Sequence, residues 1–173
     1  RVDGSIDYMT KRQVIDSVEK AIHYFETLGV KPGCRVGLIS ENNPNWVIIF
    51  MALEKMRCTS VLFDPKDHPS DLERKLAFSE PRVLVASPGI ETSVTNITCS
   101  CVVLVYDGSF RNIGKNQTID TKFDSNDRLD VGLMVFTSGS TSYPKLVMIS
   151  RTACIEQYYN NTRLFPIFLP GKT

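Results

Sequence analysis

At 173 residues, with 42% hydrophobic and 23% charged residues, the chain has the makings of one ordinary globular domain with a sizeable core. A formal net charge of +1 without any cluster of Lys and Arg excludes a nucleic-acid surface, and no apolar run approaches the roughly 20 residues of a membrane span. Two histidines and no Gly-x-Ser-x-Gly elbow leave a serine hydrolase without its parts.

Thr10-Lys-Arg-Gln13 has the spacing of a capping box. Val14, Val18, Ala21, Ile22, Phe25 and Leu28 then fall on one helical face, which predicts an amphipathic helix over residues 11–28. Gly29 ends it, and Lys31-Pro-Gly33 makes a turn. Residues 35–40 form a short apolar strand. Asn43 caps the next helix and Pro44 opens it, with Trp46, Val47, Phe50, Met51 and Leu53 along its length. A strand over 59–63 ends at Asp64-Pro65. Ser70-Asp-Leu-Glu73 again has capping-box spacing and predicts the start of a helix through Leu72 and Leu76 that stops before Pro81. Strands follow over 82–86 and 101–106, then a polar loop over 107–130. The run Val131-Gly-Leu-Met-Val-Phe136 reads as a buried strand, and Leu146 to Ile149 as a returning one. A helix over 152–163 closes the pattern. Strand, helix, strand, helix, strand is the order of right-handed βαβ units. The expected fold is therefore α/β: a mostly parallel sheet with one antiparallel hairpin.

Most polar residues along the way have an ordinary explanation. Asp64 stands at the carboxyl end of a strand, where parallel sheets place ligands, but Asp before Pro is first of all a turn former. His23 belongs to a helix surface and His68 to a Lys-Asp-His-Pro turn. Trp46, on an apolar helical face, belongs to the core. Five cysteines without framework spacing are expected to be reduced thiols in an intracellular protein. Cys99 and Cys101 flank one residue and would share a face of a strand, which is thin support for a metal or redox pair. Asn-x-Thr sequons at Asn96, Asn116 and Asn160 matter only in a secreted protein.

The loop between the last two strands is different. Thr137 to Ser142 are six small residues, followed by Tyr143-Pro-Lys145. Such a loop presents many backbone N–H groups with little side-chain bulk, and a nest of N–H groups favours phosphate. Hydroxyls at Thr137, Ser138, Ser140 and Thr141 can hydrogen-bond phosphate oxygens or reach Mg²⁺, and Lys145 adds a positive charge at the far rim. Pro144 holds Tyr143 extended. No Gly-Lys-Ser/Thr opens a helix, so this is not a Walker A loop. On composition alone, a ligand-free Ser/Thr/Gly hairpin explains it equally well.

The ordered string Phe136-Thr-Ser-Gly-Ser-Thr141, with Pro144, Lys145 and Val147 in register, resembles the phosphate-binding signature of AMP-forming, adenylate-forming enzymes: acyl- and aryl-CoA synthetases, luciferases and peptide-synthetase adenylation domains. Leu28-Gly-Val-Lys-Pro-Gly-Cys-Arg-Val36, Asn43-Pro-Asn-Trp46 and Leu62-Phe-Asp-Pro65 are similar to further segments of that family. The resemblance covers about residues 7–165. It departs at Ser142 and Leu146, where the family has Gly, at Arg151, where it has His, and at Met56-Arg-Cys-Thr59, where it has a small Ala-Gly-Ala turn.

The resemblance implies an ATP- and Mg²⁺-dependent ligase that adenylates a small carboxylic acid. The acyl group would then pass to coenzyme A or a pantetheine thiol, with fatty acids among the candidate acids of an acyl-CoA synthetase-like protein. By position, Thr137, Ser138, Gly139, Ser140, Thr141 and Lys145 would hold the β- and γ-phosphates. The family's adenine-binding segment, metal-binding Glu, ribose-binding Asp and catalytic Lys fall beyond residue 173. Residues 1–173 are thus expected to be a partial N-terminal domain of a longer polypeptide, with no metal ligand of its own, its catalytic residues unassigned, and inactive alone. Ser142, Leu146 and Arg151 keep a second reading open: a degenerate domain with a nucleotide-binding or scaffolding role.

Overall fold

The computed structural model describes residues 8–113, 130–137 and 145–164. Their strands form one sheet: β1 (Arg35–Ile39), β2 (Thr59–Phe63), β3 (Val83–Ala86), β4 (Val102–Tyr106), β5 (Phe110–Asn112), β6 (Val131–Thr137) and β7 (Lys145–Ser150). The order is β5-β4-β3-β1-β2-β6-β7. Pairs β1–β2, β1–β3, β3–β4 and β2–β6 are parallel, whereas the outer pairs β4–β5 and β6–β7 are antiparallel. This is the expected α/β sheet with its antiparallel hairpin. The inner strands are near-continuous apolar runs because helices cover both faces; Val83-Leu-Val-Ala86 of β3 is buried throughout.

Helices α1 (Lys11–Thr27) and α2 (Pro44–Lys55) cover one face. Phe25, Ile49 and Leu53 pack there against Val36, Leu38, Val85 and Leu104. Full burial of Phe25 alone is worth roughly 1.5–3 kcal/mol. On the other face, α3 (Pro69–Ser79) and the short α4 (Glu91–Thr95) contribute Leu72, Leu76 and Val94 against Val61, Leu84, Val103 and Met134. The last helix, α5 (Arg151–Leu164), follows β7 directly. No helix of the described residues is long and apolar enough to cross a membrane.

Local signals set most helix ends. The Thr10 hydroxyl accepts from Gln13 N at 3.2 Å and Gln13 Oε1 accepts from Thr10 N at 2.8 Å, the full capping box. Gly29, at φ 78°, takes the left-handed position after α1. Asn43 Oδ1 accepts from Trp46 N at 3.0 Å, with Pro44 in the first turn.

Three expectations need correction. The Ser70–Glu73 box does not form, because α3 begins at Pro69 with His68 as its cap. Glu73 instead accepts from Thr98 N at 2.7 Å. The polar stretch after Tyr106 is not all loop. Phe110 stacks on Tyr24 at 4.3 Å and meets the edge of Phe25 at 5.2 Å, and this aromatic packing fixes β5 against β4. Finally, β4 begins at Val102, so Cys99 and Cys101 do not lie on a strand; the chain bends at Ser100 and Cys101.

Candidate functional site

Parallel pairing points the carboxyl ends of β1, β2, β3, β4 and β6 to one edge of the sheet. Polar loops concentrate there because the backbone turns away from its partners. Asp64, at the end of β2, is a turn former: its Oδ1 accepts from Lys66 N at 2.8 Å and its carbonyl from Asp67 N at 3.0 Å.

The same edge carries the mouth of the β6–β7 hairpin. Thr137 and Lys145 are Cα partners across it, and both are exposed. Ser138, Gly139, Ser140 and Thr141, which the sequence singles out with them, lie outside the described residues, as does Ser142. One residue further in, Phe136 pairs with Leu146. The Phe136 ring sits 5.6 Å from that of Phe63, and Lys75 Nζ lies 5.4 Å from its centroid. Lys75 is itself held by Asp67 at 2.6 Å. The ring contacts and this ion pair anchor the hairpin on β2 and α3.

Alternation along the strands decides which departures from the signature touch the mouth. Leu146 packs beside Phe136 on the core under α3, the face opposite Lys145. Arg151 is at the far end of β7, at the amino pole of the parallel strands, where it meets Glu54. Neither side chain stands beside Lys145.

Thr137 offers a hydroxyl and Lys145 three N–H donors with a positive charge, a set suited to anion oxygens. Among the described residues no group of three or more His, Cys, Asp or Glu gathers to hold a metal ion. A Mg²⁺ that shares its ligands with phosphate needs no such cage.

A second concavity lies at the same edge between β1 and β3, where the strand order reverses. Ser40, Asn43, Trp46, Ala86, Ser87 and Tyr106 line it, and its volume of about 20 Å³ admits one water-sized group. Ser87 Oγ donates to Glu41 Oε2 at 2.6 Å across the mouth, and this bond holds the Glu41 carboxyl below its ordinary value. Trp46, stacked on Phe50 at 5.4 Å, is half-buried rather than fully in the core. Sequence reasoning missed this crevice because its walls come from strands whose adjacency depends on sheet order.

A family model described as AMP-binding enzyme matches residues 2–168. Among curated proteins, the chain is similar to the nonribosomal peptide synthetase phqB of Penicillium fellutanum, 30% identical over 155 residues, which are 87% of this chain and 6% of that protein. It is also similar to bacitracin synthase 1 of Bacillus licheniformis, 26% identical over 150 residues, 86% of this chain and 3% of that one. Among solved structures, IdnL1 superposes with a TM-score of 0.75 at 18% identity over 93% of this chain and 32% of its own. The amide bond synthetase McbA from Marinactinospora thermotolerans gives 0.73 at 21% identity, over 89% and 32%. These structural likenesses show a shared fold. The chain spans about a third of those structures and a small part of the peptide synthetases.

Proposed function

This chain belongs to the AMP-binding enzyme family, and we propose that it is the N-terminal part of an ATP-dependent ligase that adenylates a carboxylic acid and passes the acyl group to a thiol. The observation that carries the reading is the opposition of Thr137 and Lys145 at the mouth of an anchored hairpin on the carboxyl edge. In this reading their hydroxyl and ammonium groups, with Ser138, Gly139, Ser140 and Thr141, bind the β- and γ-phosphates. The acid's carboxylate oxygen attacks the α-phosphorus, the bond to the bridging oxygen breaks, and pyrophosphate leaves. Positioning and charge stabilisation supply the rate. Mg²⁺ would neutralise phosphate charge.

The peptide synthetases among the relatives favour an amino acid as the acid and a carrier-bound pantetheine as the thiol, with an acyl-CoA-forming route as the alternative. An intracellular setting, where the thiols stay reduced, goes with either. The isolated chain is expected to be inactive, and turnover by it alone would contradict the proposal. The deciding measurement is acid-dependent ATP–pyrophosphate exchange by the full-length parent protein with amino, aryl and fatty acids. Exchange with any of them supports the ligase and names its acid class. Nucleotide binding without exchange favours a second reading, a degenerate binding domain, for which Ser142 remains the motivation, since Leu146 and Arg151 face away from Lys145.

A further inference from the structure

Five cysteines occupy different surroundings in this fold. Cys34 and Cys58 are buried, and burial pushes the Cys58 thiol up to about 12. Cys154 is half-buried, and its thiol is likewise pushed up by burial. Cys99 and Cys101 differ because they set a half-buried thiol beside a buried one, whereas Cys34 and Cys58 are both buried. In an extended strand their side chains would stand about 6.6 Å apart, too far for a disulfide whose Cβ atoms need about 3.8 Å. The bend at Ser100 and Cys101 curls the segment instead. Cys99 Sγ comes within 3.7 Å of the Cys101 carbonyl oxygen and within hydrogen-bonding reach of the Cys101 thiol. Cys99 is half-buried, whereas Cys101 is 4% exposed and packed in the core beneath α3 and α4. The adjoining Thr98 N–H is tied to Glu73, so the approach to the pair is fixed from α3.

We propose that Cys99 and Cys101 are a redox-active dithiol, with Cys99 the thiol that reacts with hydroperoxides and Cys101 the one that closes the disulfide. An accessible attacking sulfur beside a sheltered resolving sulfur is the arrangement such chemistry needs. With Cys99 as the thiolate, the Cys101 thiol hydrogen-bonds to it and holds it below the ordinary thiol range, against partial burial and the nearby Glu73 carboxylate; the same bond raises Cys101. The Cys99 thiolate attacks one peroxide oxygen, the O–O bond breaks, and hydroxide leaves, giving a sulfenic acid. The Cys101 sulfur then attacks the Cys99 sulfur. The S–O bond breaks, and the released hydroxide takes the Cys101 proton as water. Two thiols lose two electrons and one peroxide becomes two waters. This site is at the opposite end of the strands from the β6–β7 hairpin mouth and does not depend on the nucleotide reading.

The test treats the full-length parent protein with equimolar hydrogen peroxide near pH 7, then alkylates under denaturing conditions and maps peptides by mass. The expected result is that the peptide holding Cys99 and Cys101 loses two hydrogens and takes no alkyl group until a dithiol reductant is added, while Cys34, Cys58 and Cys154 are alkylated. Before denaturation, Cys99 is expected to alkylate about 10-fold faster than Cys154. In Cys101→Ser, oxidation of Cys99 stops at a sulfenic acid that a 1,3-dione traps. A wild-type peptide that still takes two alkyl groups after peroxide, or a Cys99 no faster than Cys154, overturns the proposal.

Discussion

Arg151 Nη1 lies 2.6 Å from Glu54 Oε2, joining the first residue of α5 to the last turn of α2. Its Nη2 also donates to the carbonyls of Cys58 and Val131, so one guanidinium fastens α2, β2, β6 and α5 at the amino pole of the sheet. Gly132 makes the room: a Cβ there would come within 3.0 Å of Arg151 Cγ. Arg151→Met is expected to cost about 2–3 kcal/mol, since it leaves the half-buried Glu54 carboxylate and the Cys58 carbonyl without this donor, while the Val131 carbonyl keeps the Thr59 hydroxyl. The thermal midpoint of the parent protein should fall while the KM for ATP in pyrophosphate exchange stays unchanged. A large KM change without a loss of stability would move Arg151 into the site.

Lys145 is expected to be the opposite case. It is exposed at the hairpin mouth, so Lys145→Gln should leave stability nearly unchanged. Losing a charge-assisted hydrogen bond to phosphate of about 1.5–3 kcal/mol should slow pyrophosphate exchange by roughly 10- to 150-fold. Unchanged exchange in that variant would leave the phosphate-binding role without support.

Gly37 sits in the middle of β1 where an added Cβ would lie 2.8 Å from Phe63 Cε2 and 2.9 Å from Leu84 Cδ1. Gly37→Ala therefore overpacks the core and should destabilise by about 1–3 kcal/mol in thermal denaturation. Adding Phe63→Leu should recover part of that loss, because the two changes share one space. Additive losses would show that the crowding is relieved elsewhere.

Glu41 provides a pH prediction. Its carboxyl is lowered first by the Ser87 hydroxyl and then by its own backbone N–H. A depressed folded pKa means the stabilisation is present above the unfolded value of about 4.3 and is lost as pH falls through the lower folded one. A carbon-13 NMR titration should place the Glu41 midpoint below the ordinary glutamate range, and Ser87→Ala should raise it. A midpoint unmoved by that substitution would show that the hydroxyl contributes nothing.

The peptide segments that announce themselves do so by interactions closed within a few residues. Thr10 and Gln13 cap each other three residues apart, Asn43 caps Trp46 at the same spacing, and β3 shows its burial in four consecutive apolar side chains. The signature from Phe136 to Lys145 is likewise read from order alone. By itself, then, the sequence determined the longer helices α1, α2, α3 and α5, the inner strands, the α/β class and the resemblance to adenylate-forming enzymes, but not the short α4. Tertiary structure decided the rest: the strand order that opens a crevice between β1 and β3, the stacking of Phe110 on Tyr24 that makes β5, and the choice of His68 over Ser70 as a cap. It also decided that Leu146 faces the core and that Arg151 clasps Glu54, 97 residues away. Such contacts join residues far apart in sequence, and their energy exists only once the sheet has brought them together, so no local periodicity encodes them.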